Sequence, residues 1–190
     1  GYISKLIREG QSVSYVAFSS CEESLPEGLP TDTLIKEVKS ATKTLGIKEE
    51  DLYILPFKVR EFSYSRQKIL DEIISLRSKK FYNTVLIPSL QDIHQDHNVV
   101  ANEAVRAFKN SATILSYDLP WNNPSFNSQC FVELLESDVE KKYEALECYK
   151  SQEHRPYMQR NTIFALSRYK GMQMGSEFAE SYEVVRWFIN

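Results

Sequence analysis

Glycine, cysteine and excess positive charge are all scarce in this chain, and each scarcity excludes something. Six glycines in 190 residues leave no GxGxxG and no P-loop, so the usual backbone cradles for a nucleotide phosphate are missing. The three cysteines, Cys21, Cys130 and Cys148, are odd in number and lack the CxxC spacing of a metal knuckle. Reduced thiols in a cytoplasmic protein are the expectation. A formal charge of -3 and a pI near 5.7 give no electrostatic case for nucleic acid, which requires a basic face. The densest basic clusters, Lys79-Lys80 and Lys141-Lys142, read as solvated helix faces. No apolar run approaches the roughly 18 residues of a membrane span, and no signal peptide opens the chain.

What is there is an ordinary globular composition, 42% hydrophobic and 26% charged, at a length that suits a single domain with one core. Tyr2 to Gly10 carries a helical stripe closed by glycine, and Ser12 to Ser19 then reads as a buried strand. A loop through Pro30 leads to a helix capped by Thr31 or Asp32 and ended by Gly46. Leu52 to Phe57 is a second strand, Arg66 to about Lys79 a helix behind Ser65, and Thr84 to Pro88 a third strand. After it come a helix from about Asn98 to Lys109, strands at Thr113–Tyr117 and Gln129–Leu135, and a helix over Asp138–Tyr149. A last helix over Met158–Tyr169 is broken at Gly171 to Gly175, and Tyr182–Phe188 is a final strand. This alternation argues for an α/β fold: a Rossmann-like, mostly parallel sheet flanked by helices on both faces.

Ligands of such sheets gather beyond the carboxyl ends of strands, and there the chain places two of its three histidines. The tetrad His94-Gln95-Asp96-His97 offers neutral imidazoles, which bind zinc, and a carboxylate able to fix a histidine tautomer. Alternatively the histidines are structural, and Asp96 or Asn98 merely caps the following helix. The third histidine, His154, sits in a polar loop and reads as a surface residue.

The tetrad resembles the second metal motif of the zinc-dependent de-N-acetylases of the PIG-L/LmbE family. The similarity is broader: the helix ending in Arg8-Glu9-Gly10 before an apolar strand looks like the family's opening region. So do Ala41 with Leu45-Gly46-Ile47 ending the next helix and Arg66-Gln67 with Ile69-Leu70 opening the third, and Pro88 before the histidines fits as well. Lys141 to Tyr149, Ser151-Gln152 and Phe178 to Glu183 are similar to the family's closing segments. The resemblance implies hydrolysis of the N-acetyl group of an N-acetylglucosamine-type sugar or glycoconjugate with zinc as cofactor. It implies His97 as a zinc ligand, His94 as the group that polarises the amide carbonyl or protonates the leaving amine, and Asp96 as the carboxylate that orients His94. Glu180 matches an acidic position of the closing segment and is a candidate substrate contact. From the residues themselves, Arg60 and Arg66 suit sugar hydroxyls or phosphate, with surface salt bridges as the alternative. Asp92 can orient His94, accept a sugar hydroxyl or satisfy backbone in its turn. Trp121, with Tyr117 nearby, can stack on a sugar or pack in the core, and Glu22, Glu23 and Ser24 form an acidic loop.

The chain departs from the family at its start. The first metal motif, with a histidine and an aspartate as ligands and a neighbouring aspartate as base, precedes the first helix in the family. This chain begins inside that helix. The expectation is therefore a single domain over residues 1–190, N-terminally incomplete and without its central strand. It is either a piece of a longer enzyme or a remnant that no longer catalyses; the need to fold favours the former. The expected partner is a small amino sugar, with no nucleic acid and with homo-oligomerisation left open. A non-catalytic nucleotide- or sugar-binding domain is the rival class.

Overall fold

The computed structural model describes residues 1–189. It is an α/β structure whose contacts divide the chain into two compact units, residues 1–58 with 131–180 and residues 59–130 with 181–190.

In the first unit, helices α1 (Tyr2–Arg8), α2 (Thr33–Leu45), α5 (Glu136–Glu147) and α6 (Arg160–Met174) accompany strands β1 (Tyr15–Ala17) and β2 (Leu52–Ile54). β1 and β2 pair in parallel, Tyr15 opposite Leu52 and Ala17 opposite Ile54. The strands are shorter than the apolar runs imply, yet bonding continues beyond them: the Leu55 N–H donates to Ala17 O and the Phe57 N–H to Phe18 O. α2 ends where expected. Gly46 adopts φ +88 and its N–H donates to Lys43 O, a left-handed cap that glycine takes without steric cost. Leu134, Val139, Ile163 and Phe178 form a buried cluster, with Phe164 edge-on to Phe178 at 5.7 Å. α1 is tied to α5 through Asp138, which accepts from Arg8 and from the Ser4 hydroxyl.

α6 corrects the expected break after Tyr169. It begins at Arg160, behind a separate turn at Pro156–Met158, and runs on through Gly171 to Met174, ending at left-handed Gly175. A Cβ at Gly171 would lie 2.6 Å from the Glu177 carbonyl oxygen, so this glycine serves close approach of backbone rather than termination.

In the second unit, α3 (Arg66–Lys79) and α4 (Gln95–Phe108) pack together, and strands β3 (Thr84–Pro88) and β4 (Thr113–Tyr117) pair in parallel from Thr84–Thr113 to Pro88–Tyr117. The core is Ile69, Leu70, Ile73 and Leu76 of α3 with Ile87, Val99, Phe108 and Ile114. Full burial of one such side chain contributes about 1.5–3 kcal/mol. Ile74 of the same helix is 37% exposed. Ser65 precedes α3 as expected but makes no side-chain cap bond. The last strand, β6 (Phe178–Arg186), starts four residues earlier than expected and in this unit runs antiparallel to β4, Ser116 opposite Glu183 and Tyr117 opposite Tyr182. The remaining strand, β5 (Cys130–Leu134), falls within the expected fifth run. Among the described residues no helix is long and apolar enough to cross a membrane.

Candidate active site

β3 delivers the chain into the site. Ile87 is 2% exposed, and Ser89, the first residue past the strand, is fully buried. A turn follows in which the Asp92 N–H donates to Ser89 O at 3.1 Å and the Gln91 N–H to Ser89 Oγ at 3.1 Å. The turn delivers Asp92, buried at 3% exposure, to the head of α4. One carboxylate oxygen there accepts the His94 N–H at 2.8 Å, and the other lies 2.8 Å from His97 Nδ1.

α4 starts at Gln95, three residues before the expected start at Asn98, because a histidine serves as its cap. His94 has extended backbone, and its Nδ1 accepts the Asp96 N–H at 3.2 Å. An imidazole nitrogen thus takes the place that a Ser, Thr, Asn or Asp oxygen usually fills. The cap puts Asp96 and His97 in the first helical turn.

The two rings stack, with centroids 4.5 Å apart and planes at 22°. Their hydrogen bonds dictate opposite tautomers. His94 Nδ1 accepts an N–H, so its own hydrogen resides on Nε2. Burial lowers the His94 pKa, the neighbouring His97 and Arg60 lower it further, and Asp96 and Asp92 oppose them; the ring is neutral at pH 7. His97 faces an acceptor instead. Its Nδ1 carries the hydrogen towards Asp92, which leaves the Nε2 lone pair open. The Asn122 amide nitrogen is 3.4 Å from the same Nδ1, at the long edge of hydrogen bonding, so the 2.8 Å carboxylate contact decides the tautomer. The pair therefore presents one donor and one acceptor side by side.

Several expected roles change. The Asp96 carboxylate does not meet the His94 ring: it is buried and accepts the backbone N–H groups of Arg60 and Phe62. The physical reason is the cap, since His94 Nδ1 is already taken by the Asp96 amide. The carboxylate that meets a histidine ring is Asp92, and the histidine is His97; the other Asp92 oxygen accepts the His94 N–H. Arg66 is held by fully buried Glu103, Nε at 2.7 Å and Nη2 at 2.6 Å, which is the salt-bridge alternative. Glu180 belongs to the first unit, where it pairs with Lys142 at 2.8 Å and accepts the Tyr2 N–H at 2.8 Å. Its carboxylate braces the start of α1. The Arg60 backbone N–H meets Asp96 in the first turn of α4. Arg60 is exposed and has φ +68.

Trp121 is 46% exposed in the segment after β4, whose Asn122 carbonyl accepts the Ile93 N–H at 3.2 Å. His154 is exposed in the first unit, as are Glu22 and Glu23. Asn122 and Ser89 went unmarked in the sequence. The Ser-x-x-Asp spacing of Ser89 and Asp92 is a turn signal that points to the latter.

A zinc ion is the cofactor the resemblance implies, and His97 fits one coordination position, with Nε2 free and Nδ1 backed by a carboxylate. A catalytic zinc takes about three protein ligands. Among the described residues no three His, Cys, Asp or Glu side chains are grouped to hold a metal. The described residues thus offer one candidate ligand, His97, and the carboxylate behind it.

Known structures share this architecture. A conserved protein from Thermus thermophilus is 21% identical, covering 100% of this chain and 88% of its own, with a TM-score of 0.76. The N,N'-diacetylchitobiose deacetylase from Pyrococcus horikoshii is 19% identical, covering 97% of this chain and 76% of its own, at 0.78. GalB, the 4-carboxy-2-hydroxymuconate hydratase from Pseudomonas putida, is 17% identical, covering 100% of this chain and 90% of its own, also at 0.78. At these identities the likeness is one of fold, and it spans a deacetylase and a hydratase. No curated protein sequence matches the chain. The PIG-L family model, GlcNAc-PI de-N-acetylase, matches residues 1–108, which include α1 to α4 and the histidine pair, and the chain therefore belongs to the PIG-L family.

Proposed function

We propose that the chain acts in zinc-dependent hydrolysis of the N-acetyl group of an N-acetylglucosamine-type sugar or glycoconjugate, with the histidine pair as the working site. Family membership supports the reaction class. The observation that carries the assignment of roles is the pair of opposed tautomers. His94 offers Nε2–H as a donor to the acetamide carbonyl oxygen, where charge develops during attack. One such preorganised donor is worth about 100-fold or more in rate. His97, fixed by Asp92, offers its Nε2 lone pair to zinc, and the ion would supply a Lewis acid there. Asp96 holds the Arg60 turn, and the exposed Arg60 guanidinium is of a chemistry that suits a sugar hydroxyl or phosphate. Arg66 and Glu180 have no substrate role in this scheme.

The test is metal content and deacetylation of N-acetylglucosamine derivatives by the protein with and without His97→Ala. Zinc content unchanged by the substitution would overturn the assignment. The rival reading is a non-catalytic sugar- or nucleotide-binding domain. Calorimetric binding of the same sugars without turnover would select it.

A further inference from the structure

Glu183 stands on β6 opposite Ser116 of β4, and its carboxylate collects donors from three segments. Oε2 accepts the hydroxyls of Ser116 at 3.1 Å and Ser89 at 3.2 Å, and Oε1 accepts the Asn127 N–H at 2.8 Å. Both serines are fully buried. A carboxylate persists beside buried hydroxyls only when its oxygens are satisfied, and these three donors satisfy it.

The three arms lead to different places. Ser116 lies within β4, where the strand ladder already fixes it. Ser89 heads the turn into the histidine pair. Its Oγ accepts the Gln91 N–H, so its own hydrogen is directed to Glu183, while its carbonyl accepts the Asp92 N–H. The turn that ends at Asp92 thus hangs from Glu183 through one serine, and Asp92 in turn holds the His94 amide and His97 Nδ1. The Asn127 arm anchors the segment after β4, which reaches the histidines through Asn122.

We infer that Glu183 is a positioning residue for the histidine pair, setting through Ser89 the placement of the carboxylate that fixes the His97 tautomer. The inference rests on the reading of that pair as the working site. Glu183 touches neither histidine, and the sequence marks it only as the last residue of the Phe178 to Glu183 segment that is similar to the family's closing region.

Long-range 15N–1H spectra of the full chain, labelled at histidine, test the inference through the tautomer of His97. Glu183→Gln and Ser89→Ala are expected to lose the sharp Nδ1–H signal of His97, and Ser116→Ala to keep it. Ser116→Ala removes a hydroxyl from the same carboxylate, so it controls for general loosening, and thermal unfolding of all three variants reports the fold. A His97 signal unchanged in both Glu183→Gln and Ser89→Ala, or lost equally in Ser116→Ala, would overturn the inference. Failure of the deacetylase reading shows separately, as sugar binding without turnover by the parent protein, and leaves the spectra as they are.

Discussion

Asp92 and His97 are joined at 2.8 Å, and the same carboxylate caps the backbone of His94 with its other oxygen. One buried side chain thereby governs both rings: the position of the first through its amide, and the protonation site of the second through Nδ1. A histidine pair on an exposed loop would interconvert tautomers freely. This pair is locked into one donor and one acceptor.

Asp92→Asn is expected to reverse the His97 tautomer. An asparagine has one oxygen, and the His94 backbone N–H is a donor that cannot change its nature, so the oxygen stays there. The amide NH2 then faces His97 Nδ1, which must become an acceptor with its hydrogen on Nε2. Zinc binding at Nε2 is expected to weaken by about 10–100-fold, the usual cost of losing such a supporting group. Histidine 15N shifts report the tautomer and equilibrium dialysis reports the metal; an unchanged tautomer would contradict the hydrogen-bond assignment.

The sequence made some of this legible and hid the rest for identifiable reasons. β3, β4 and α3 were readable to the residue, because short apolar runs between turn signals and a 3.6-residue stripe are local patterns. The histidines were legible because they lie within one helical turn of each other. The start of α4 was not, since an imidazole is not among the usual cap residues. Nor were the partners of Asp96 and Arg66, because the first reaches Arg60 and the second Glu103, 36 and 37 positions away. Charged side chains announce that they need partners and not which ones. Asp92 was an open choice between three roles, since nothing local to its turn shows that its oxygens meet the His94 N–H and His97 Nδ1.

Arg60 holds φ +68, a left-handed conformation that costs a non-glycine residue about 1–2 kcal/mol. Arg60→Gly relieves that strain but adds about 0.5–1 kcal/mol of chain entropy to the cost of folding. The expected net effect on stability is a gain of no more than about 1 kcal/mol, read from denaturant unfolding. Substrate binding is expected to weaken at the same time, as a raised KM with kcat less affected. A clear loss of stability would show that the guanidinium, and not the backbone turn, was the structural element.

Gly171→Ala sets a methyl group 2.6 Å from the backbone oxygen of Glu177, and backbone cannot swing aside as a side chain can. The chain after α6 must shift, at a cost of about 1–3 kcal/mol. The melting temperature is expected to fall. Gly10→Ala is the matching control for a glycine with open space around it, although its φ of +78 carries a strain of its own. If Gly171→Ala melts with the parent protein, α6 does not approach residues 176–177 as described.

Asp138 provides the acid-side test of stability. Its burial pushes the carboxyl pKa up, but hydrogen bonds from Arg8, the Leu135 N–H and Ser4, with the Arg8 charge, more than offset this and hold it below the ordinary carboxylate range. A folded-state pKa below the unfolded one means that the unfolded chain takes up the proton more readily. The contribution is therefore complete above the unfolded value of about 3.9 and is lost as pH falls through the lower folded value. Stability of the parent protein should drop in that acid window, while Asp138→Asn should be less stable at neutral pH and show a shallower acid slope. Parallel acid slopes for the two proteins would mean that Asp138 keeps an ordinary pKa. The tie between α1 and α5 would then rest on packing and not on this carboxylate.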